Sequence, residues 1–178
     1  MKEQLLILII ISVFASCNQT KKENKAIDKP STVIENNVIE RHFPNEKETL
    51  EFDTIISSKD LQILITSNYL DSYVTNEFIS EGVKYIDRYR DSKKRLIIKK
   101  SNELLIDTIF EKDNFSNFVE LDFLKVASFN KYSFDGIENE TIELFGVISK
   151  PETDWAFVFY HYYDLKTNTI RIEEIENN

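Results

Sequence analysis

The stretch that decides the fold is residues 141–174, TIELFGVISKPETDWAFVFYHYYDLKTNTIRIEE. It contains three short segments rich in β-branched and aromatic residues, separated by polar turns that carry Pro151 and Asn168. Segments of this length and composition, bounded by turn residues, are typical of antiparallel strands. In the middle segment, alternate residues share one face of the strand, namely Trp155, Phe157, Phe159, His161 and Tyr163.

The same pattern of strands continues towards the amino terminus. Apolar and polar residues alternate in several segments, which predicts strands over residues 50–56, 61–65, 83–89, 95–99, 103–110 and 129–134. Residues 91–94 read as a polar turn between two of them. Helical spacing of Phe115, Val119 and Phe123 predicts one helix over residues 114–127. We therefore expect a mainly β fold, an antiparallel sandwich or open barrel of eight or nine strands with one packed helix.

Composition excludes several classes of protein. The 178 residues are 42% hydrophobic and 12% aromatic, with 3 Gly, 3 Pro and 1 Cys, which excludes collagen-like chains, disulfide scaffolds and wholesale disorder. Three dispersed glycines cannot form a phosphate-binding loop, which argues against nucleotide chemistry, and no cofactor is predicted. We expect His161 to be a packed, hydrogen-bonded imidazole rather than a catalytic group.

The amino terminus has the order of a secretory signal. A short polar start is followed by an apolar run over residues 5–14, which is too short to cross a bilayer as a helix. The tetrad Phe14, Ala15, Ser16 and Cys17 resembles the lipobox of bacterial lipoproteins. The resemblance implies cleavage before Cys17 and acyl chains on that residue, which would hold the protein on a lipid bilayer. The alternative is an ordinary secretory signal with a stray cysteine.

The signal implies three parts of the chain. Residues 1–16 would be the signal peptide, residues 17–48 the lipidated cysteine and a flexible tether, and residues 49–178 a single β-rich domain. Within the tether, Ile34, Val38 and His42 recur every four residues and predict a short helix over residues 32–43. The mature part resembles small lipoproteins of unknown function. Asn18 after the cysteine is similar to outer-membrane sorting signals, which implies a place in the bacterial cell envelope.

Charge is unevenly distributed along the chain. The segment 84–100 has a net charge of +6, whereas the rest of 49–178 has a net charge of −15. The basic segment could contact anionic headgroups or acidic glycans, and the alternative is a solvated hairpin that pairs with the acidic remainder. The overall charge of −9 argues against nucleic acid as a partner. The basic residues are Lys84, Arg88, Arg90, Lys93, Lys94, Arg95, Lys99 and Lys100.

Two further sets of residues could carry function. Trp155, Tyr160 and Tyr162 could form an aromatic platform for a sugar or a peptide, since their rings offer flat apolar area with a polar end; the alternative is an interior strand. The triplet Asp, Thr, Ile occurs twice and resembles an O-glycosylation sequon of some bacterial envelope proteins, which implies glycans on Thr54 and Thr108. The alternative to a sequon is that two apolar strands simply end in a similar way.

Together these patterns predict a membrane-anchored envelope lipoprotein that acts as a non-catalytic binding or scaffolding module for an envelope protein or glycan. One alternative is a carboxylate-dependent hydrolase of glycan or peptidoglycan, with two carboxyl groups near Trp155 or Tyr160. Another alternative is an inhibitor of lysozyme or protease that uses an exposed, rigid loop over residues 71–82.

Overall fold

The computed structural model describes residues 38–175, which form nine β-strands, one short α-helix and two short 3-10 helices. The 3-10 helices span Ser57–Lys59 and Lys112–Phe115. The other elements, in chain order, are β1 Val38–Phe43, β2 Thr49–Ile56, β3 Leu61–Ser80, β4 Val83–Lys100, β5 Glu103–Phe110, α1 Leu121–Val126, β6 Ser128–Glu138, β7 Thr141–Ser149, β8 Ala156–Asp164 and β9 Thr169–Glu174.

The strands form two sheets. Strands β2, β3, β4 and β5 pair antiparallel in sheet A, and β1 joins the edge of β4 in parallel, opposite residues 84–89. Strands β6 to β9 form sheet B, in which each strand pairs antiparallel with the next. The predicted mainly β fold is confirmed, with nine strands in the described chain, arranged as two sheets that share a core.

The core lies between the two sheets. Ile63 and Leu96 from sheet A pack in one buried cluster with Leu144 and Phe159 from sheet B, and all four are shielded from water. Phe115, from the segment between the sheets, is buried in the same cluster. Removal of this apolar surface from water is the main favourable term in folding. The predicted alternation in β8 is confirmed, because Phe157, Phe159, His161 and Tyr163 are all buried.

Strands β3 and β4 are long enough to form an arm. We define the arm as β1 together with residues 73–80 of β3 and 83–90 of β4. From residue 75 to residue 86 no side chain is buried, so both faces of this part of the sheet are exposed to water. A bulge separates the arm from the core, because Tyr69 lies opposite Ser92 whereas Tyr73 lies opposite Arg90. The bulge shifts the alternation, so that the buried residues of β3 change from odd to even numbers.

Two local predictions for this region are wrong. Residues 91–94 lie within β4 and form no turn, and residues 71–80 are strand instead of loop. Only Glu81 and Gly82 turn the chain, with φ of 51° and 79°. Over residues 75–80 the strand faces water on both sides and needs no apolar alternation. Residues 91–94 misled the pattern for the opposite reason, because Asp91, Ser92 and Lys94 are polar residues that the strand buries.

The predicted tether and its helix are also corrected. Residues 38–43 form β1, so the folded domain begins before residue 49, and the helix predicted over residues 32–43 is wrong for this part. Arg41 fixes the strand by two hydrogen bonds to the carboxylate of Asp87, of 2.7 and 2.6 Å. A partner 46 residues away is invisible to a local pattern. The signal peptide, Cys17 and the predicted tether up to residue 37 lie outside the described residues.

The helix predicted over residues 114–127 is present only in part. The chain forms the 3-10 helix at Lys112–Phe115 and then α1, with an irregular segment between them. The side-chain oxygen of Asn114 accepts a hydrogen bond of 2.7 Å from the backbone N–H of Glu111. Such local bonds from Asn and Ser compete with a continuous helix.

Candidate functional site

An aromatic cleft opens beside Trp155. Its volume is about 330 Å³. The exposed fraction is 49% for Trp155 and 46% for Phe118, whereas Phe123 and Phe157 are buried. The cleft thus joins the segment around α1 to one end of sheet B, and its lining residues are Phe118, Val119, Glu120, Phe123, Trp155, Ala156, Phe157 and Glu174.

The turn between β7 and β8 holds Trp155 in place. The backbone N–H of Lys150 donates to the carbonyl of Trp155 at 2.9 Å, which closes the turn. The hydroxyl of Thr153 donates to the carbonyl of Lys150 at 3.0 Å and accepts from the N–H of Trp155 at 3.2 Å. The rings of Trp155 and Phe123 lie 5.0 Å apart, centroid to centroid. The turn therefore fixes the backbone of Trp155, and Phe123 packs against its ring, although the residue is 49% exposed.

The polar groups of the cleft are mostly acidic. Glu120 and Glu174 line it, and within residues 38–175 neither carboxylate has a cationic side-chain nitrogen within 4.0 Å. The Lys150 ammonium lies 6.0 Å from the centroid of the Trp155 ring. Flat aromatic surfaces with hydrogen-bond acceptors at the rim can bind a small polar ligand.

The predicted aromatic platform does not form as one surface. Trp155 lies at the cleft, whereas Tyr160 and Tyr162 lie on the outer face of sheet B, where their rings are 5.6 Å apart. The hydroxyl of Tyr160 donates to Asp135 at 3.1 Å, and this hydrogen bond raises the pKa of Tyr160 above its usual value. Period two explains the separation, since even and odd residues of β8 face opposite ways.

The basic residues of β4 are partly neutralised by acidic side chains of the same domain. Some of them form ion pairs: Lys84 with Glu77 at 2.8 Å, Arg88 with Glu40 at 2.6 Å and Arg95 with Asp107 at 2.6 Å. The unpaired positive charge on β4 therefore depends on the other basic residues of this strand.

Arg90 donates to the hydroxyl of Tyr73 at 2.7 Å, and its guanidinium lies 4.9 Å from the Tyr73 ring centroid. Within the described part of the chain, Lys93, Lys99 and Lys100 make no ion pair and are at least partly exposed. These three and the partly exposed Arg90, which also makes no ion pair within the described residues, remain of the predicted contact surface for anionic groups.

Lys94 points into the domain and belongs to a buried polar cluster that the sequence did not predict. Lys94 is 3% exposed, and its ammonium donates to the hydroxyl of Ser67 at 3.2 Å. Burial lowers the pKa of Lys94 to about 8. Asp91 of the same cluster pairs with Lys112 at 2.9 Å and accepts a hydrogen bond of 3.0 Å from the backbone N–H of Phe129. The cluster thus joins sheet A to the start of sheet B.

His161 is the packed imidazole that the sequence predicted. It is 5% exposed, and its Nδ1 lies 2.9 Å from the hydroxyl of Tyr132 in a hydrogen bond. The rings of Phe110 and Phe159 flank it at 4.7 and 5.0 Å. Burial lowers the pKa of His161 to about 4, so the imidazole is neutral at pH 7.

The two predicted glycosylation residues lie on edge strands of sheet A. Thr54 of β2 is opposite the buried Ile63, and Thr108 of β5 is opposite the buried Leu96, so both side chains lie on the inner face of the sheet. Both are half-buried. A glycan on either hydroxyl would have to leave sideways along the strand edge.

Residues 38–175 contain no helix that is long and apolar enough to cross a membrane.

Comparison with known proteins shows the family of the chain. No curated protein matches the chain. A family model described as "Domain of unknown function (DUF4738)" matches residues 29–164, which include β1 to β8 and most of the Trp155 cleft. The match covers more than half of the chain, and the protein therefore belongs to the DUF4738 family.

Proposed function

We propose that the protein is a membrane-anchored lipoprotein of the bacterial envelope, and that it is a non-catalytic module that binds an envelope glycan or peptide in the Trp155 cleft. The observation that carries the binding role is the half-exposed side chain of Trp155 at the mouth of an aromatic cleft, with its backbone hydrogen-bonded in the turn and its ring packed against Phe123. A rigid aromatic surface loses little conformational freedom when a ligand is bound.

The order of residues around Cys17 supports the anchor, and Asn18 supports outer-membrane sorting. Twenty residues, 18–37, separate Cys17 from β1. A chain of that length spans at most about 70 Å when fully extended. An acylated Cys17 would therefore hold the binding domain within that distance of the bilayer.

The anchor is tested by labelling cells with radioactive palmitate. We expect the full-length chain to incorporate label and to fractionate with membranes. Cys17→Ala should abolish the labelling and leave the precursor uncleaved, and the matched variant Ser16→Ala should keep both properties. Equal labelling of the Cys17→Ala chain would disprove the anchor.

The binding role is tested by the fluorescence of Trp155, the sole tryptophan of the chain. Fragments of purified cell wall, separated into glycan and peptide fractions, should shift the emission of Trp155 in a saturable manner. Phe118→Ala should weaken the effect, whereas Tyr162→Ala, which removes an aromatic ring from the outer face of sheet B, should not. No shift with any fraction would refute the cleft as the ligand site.

A hydrolase is the second candidate, because Glu120 and Glu174 both line the Trp155 cleft. Two carboxyl groups on either side of a glycosidic bond can act as acid and base or nucleophile. Release of reducing ends from cell-wall glycan by the wild-type chain, lost in Glu120→Gln and Glu174→Gln, would favour this reading over simple binding.

A specific observation also supports the hypothesis of an inhibitor. The arm ends in the exposed side chains of Phe78 and Ile79, which are 39% and 76% exposed. Inhibition of lysozyme or a protease that is lost in Ile79→Ser, but kept in Phe118→Ala, would assign inhibition to the arm.

A further inference from the structure

We propose that the Trp155 cleft binds an alkylammonium group presented by the side chain of a peptide. This inference rests on the proposed function, since it names the ligand of the same cleft. It is carried by the combination of aromatic rings, unpaired carboxylates and exposed apolar surface at one place in the fold.

Aromatic rings surround the cleft on more than one side. Phe118 stacks on Phe157 with centroids 6.3 Å apart, and Trp155 packs against Phe123 at 5.0 Å. Phe123 and Phe157 are buried, whereas Trp155 and Phe118 expose about half of their surface. The negative face of an aromatic ring attracts a cation within about 6 Å, and Trp does so best. Such an arrangement suits an ammonium group better than an anion.

The carboxylates give the cleft the complementary charge. Glu120 and Glu174 line it and have no cationic partner within residues 38–175. Residues 111–175 contain thirteen acidic and six basic side chains, so the potential around sheet B is negative. A cation is steered towards such a surface, and an anion is repelled.

The apolar part of the cleft favours an alkyl stem beneath the charge. Buried Phe157 and the methyl side chain of Ala156 contribute to the lining, and α1 begins with Leu121, which is 64% exposed beside Glu120. Lysine-type side chains bury their methylene groups on apolar surface and leave the ammonium at a polar rim. A peptide side chain therefore satisfies both halves of the cleft at once.

Lys150 already places a cation near the Trp155 ring. Its ammonium lies 6.0 Å from the centroid of Trp155. Because Lys150 would compete with an incoming ammonium group, Lys150→Met should tighten binding of a lysine side chain. A ligand of negative or neutral character would lose affinity or be unaffected by that change.

The test uses the full-length chain and the emission of Trp155, its sole tryptophan. The probes are Nα-acetyl-lysine methylamide and the same compound acetylated at Nε, which removes the charge. We expect a saturable shift with the first probe and none with the second. The double variant Glu120→Gln with Glu174→Gln should bind the lysine probe about tenfold more weakly. The matched control Asp154→Asn, which neutralises an acid next to Trp155 outside the cleft lining, should bind as the wild type does.

The outcomes separate this inference from the proposed function. Equal shifts with the charged and the acetylated probe would overturn the ammonium site and leave the cleft as a binding site. A shift with cell-wall glycan but with neither lysine probe would do the same. Tighter binding of phosphoethanolamine than of the lysine probe would overturn the peptide as the source of the ammonium. If neither the probes nor the cell-wall fractions changed the emission of Trp155, both proposals would be overturned.

Discussion

Gly146 lies directly beneath the aromatic ring of Phe159, its partner across strands β7 and β8. A Cβ on residue 146 would overlap three carbons of that ring. Phe159 is completely buried, so the ring has no free space to move into. The missing side chain of Gly146 is thus part of how the core of sheet B is packed.

We expect Gly146→Ala to lower the free energy of unfolding by about 1–3 kcal/mol, because the added methyl group overpacks the core. Urea unfolding followed by circular dichroism measures the effect. Gly136→Ala is the matched control, since a Cβ there would meet nothing within 4 Å. Equal midpoints for the two variants would contradict the packing of Phe159 over Gly146.

The ion pair of Arg41 with Asp87 should matter more than its exposed neighbour. Asp87 is 2% exposed, and without Arg41 its carboxylate would be buried with no cation beside it. We therefore expect Arg41→Ala to lower the urea midpoint more than Arg88→Ala, which breaks only the exposed pair with Glu40. Proteolysis at β1 should rise in parallel. If Arg88→Ala were the more harmful change, β1 would not be held by Asp87.

His161 should make the domain sensitive to acid. Its pKa is about 4 in the folded chain against 6.5 ordinarily, so between these values the unfolded chain binds the proton and the folded chain does not. Stability is therefore lost as the pH falls from 6.5 to 4, by up to about 3 kcal/mol. In urea titrations over this range, His161→Phe should reduce the pH dependence. Identical pH dependence of the wild type and the variant would show that the imidazole titrates normally.

Lys94 is expected to cost stability at neutral pH. Its pKa is about 8 in the folded chain against 10.5 ordinarily, so below pH 8 both states carry the charge and the folded state keeps it buried. Lys94→Met should raise the free energy of unfolding at pH 7 by about 2 kcal/mol. The gain should shrink as the pH rises from 8 to 10.5, since the wild-type lysine then loses its proton on folding.

The neighbouring Lys93 offers the control for that experiment, because it lies on the outer face of the sheet opposite Asn68. Lys93→Met should leave stability nearly unchanged at every pH. A loss of stability in Lys94→Met at pH 7 would mean that the hydrogen bond to Ser67 outweighs the burial of the charge.

Binding to anionic vesicles should depend on only part of the basic set. Replacement of Lys93, Lys99 and Lys100 by Ala should reduce co-sedimentation of the unacylated Cys17→Ala chain with phosphatidylglycerol vesicles at low salt. Replacement of the ion-paired Lys84, Arg88 and Arg95 should reduce it less. If the first triple variant and its parent sedimented equally, the result would contradict a contact with anionic lipid. It would support the alternative, in which the basic residues are only solvated.

The sequence predicts sheet B well and the arm poorly, for a physical reason. In β7 and β8, aromatic and β-branched residues fill short segments bounded by turn residues, and a period of two then assigns Phe159 and Tyr160 to opposite faces. Residues 75–86 of the arm have no buried side chain, and β1 is held by Asp87 from a distant strand. Neither property leaves a periodic trace in the local sequence.

The candidate site shows the same division. Trp155 was predicted as a binding residue from its residue type and its place beside β8. The helical spacing assigns its neighbours in the cleft, Val119 and Phe123, only to the apolar face of a helix. Their meeting with Trp155 depends on how the segment around α1 packs on sheet B, which no spacing within one segment encodes.

The parallel pairing of β1 with β4 has a mechanical consequence. Val38 lies opposite Lys84, near the turn that ends the arm, and Phe43 lies opposite Tyr89, nearer the core. A pull on the chain ahead of residue 38, directed away from the core, would run along the strand axis. The backbone hydrogen bonds of β1 and the contact of Arg41 with Asp87 would then be sheared together instead of peeling apart one by one. The contacts of β1 would therefore have to rupture together under a force applied from that side.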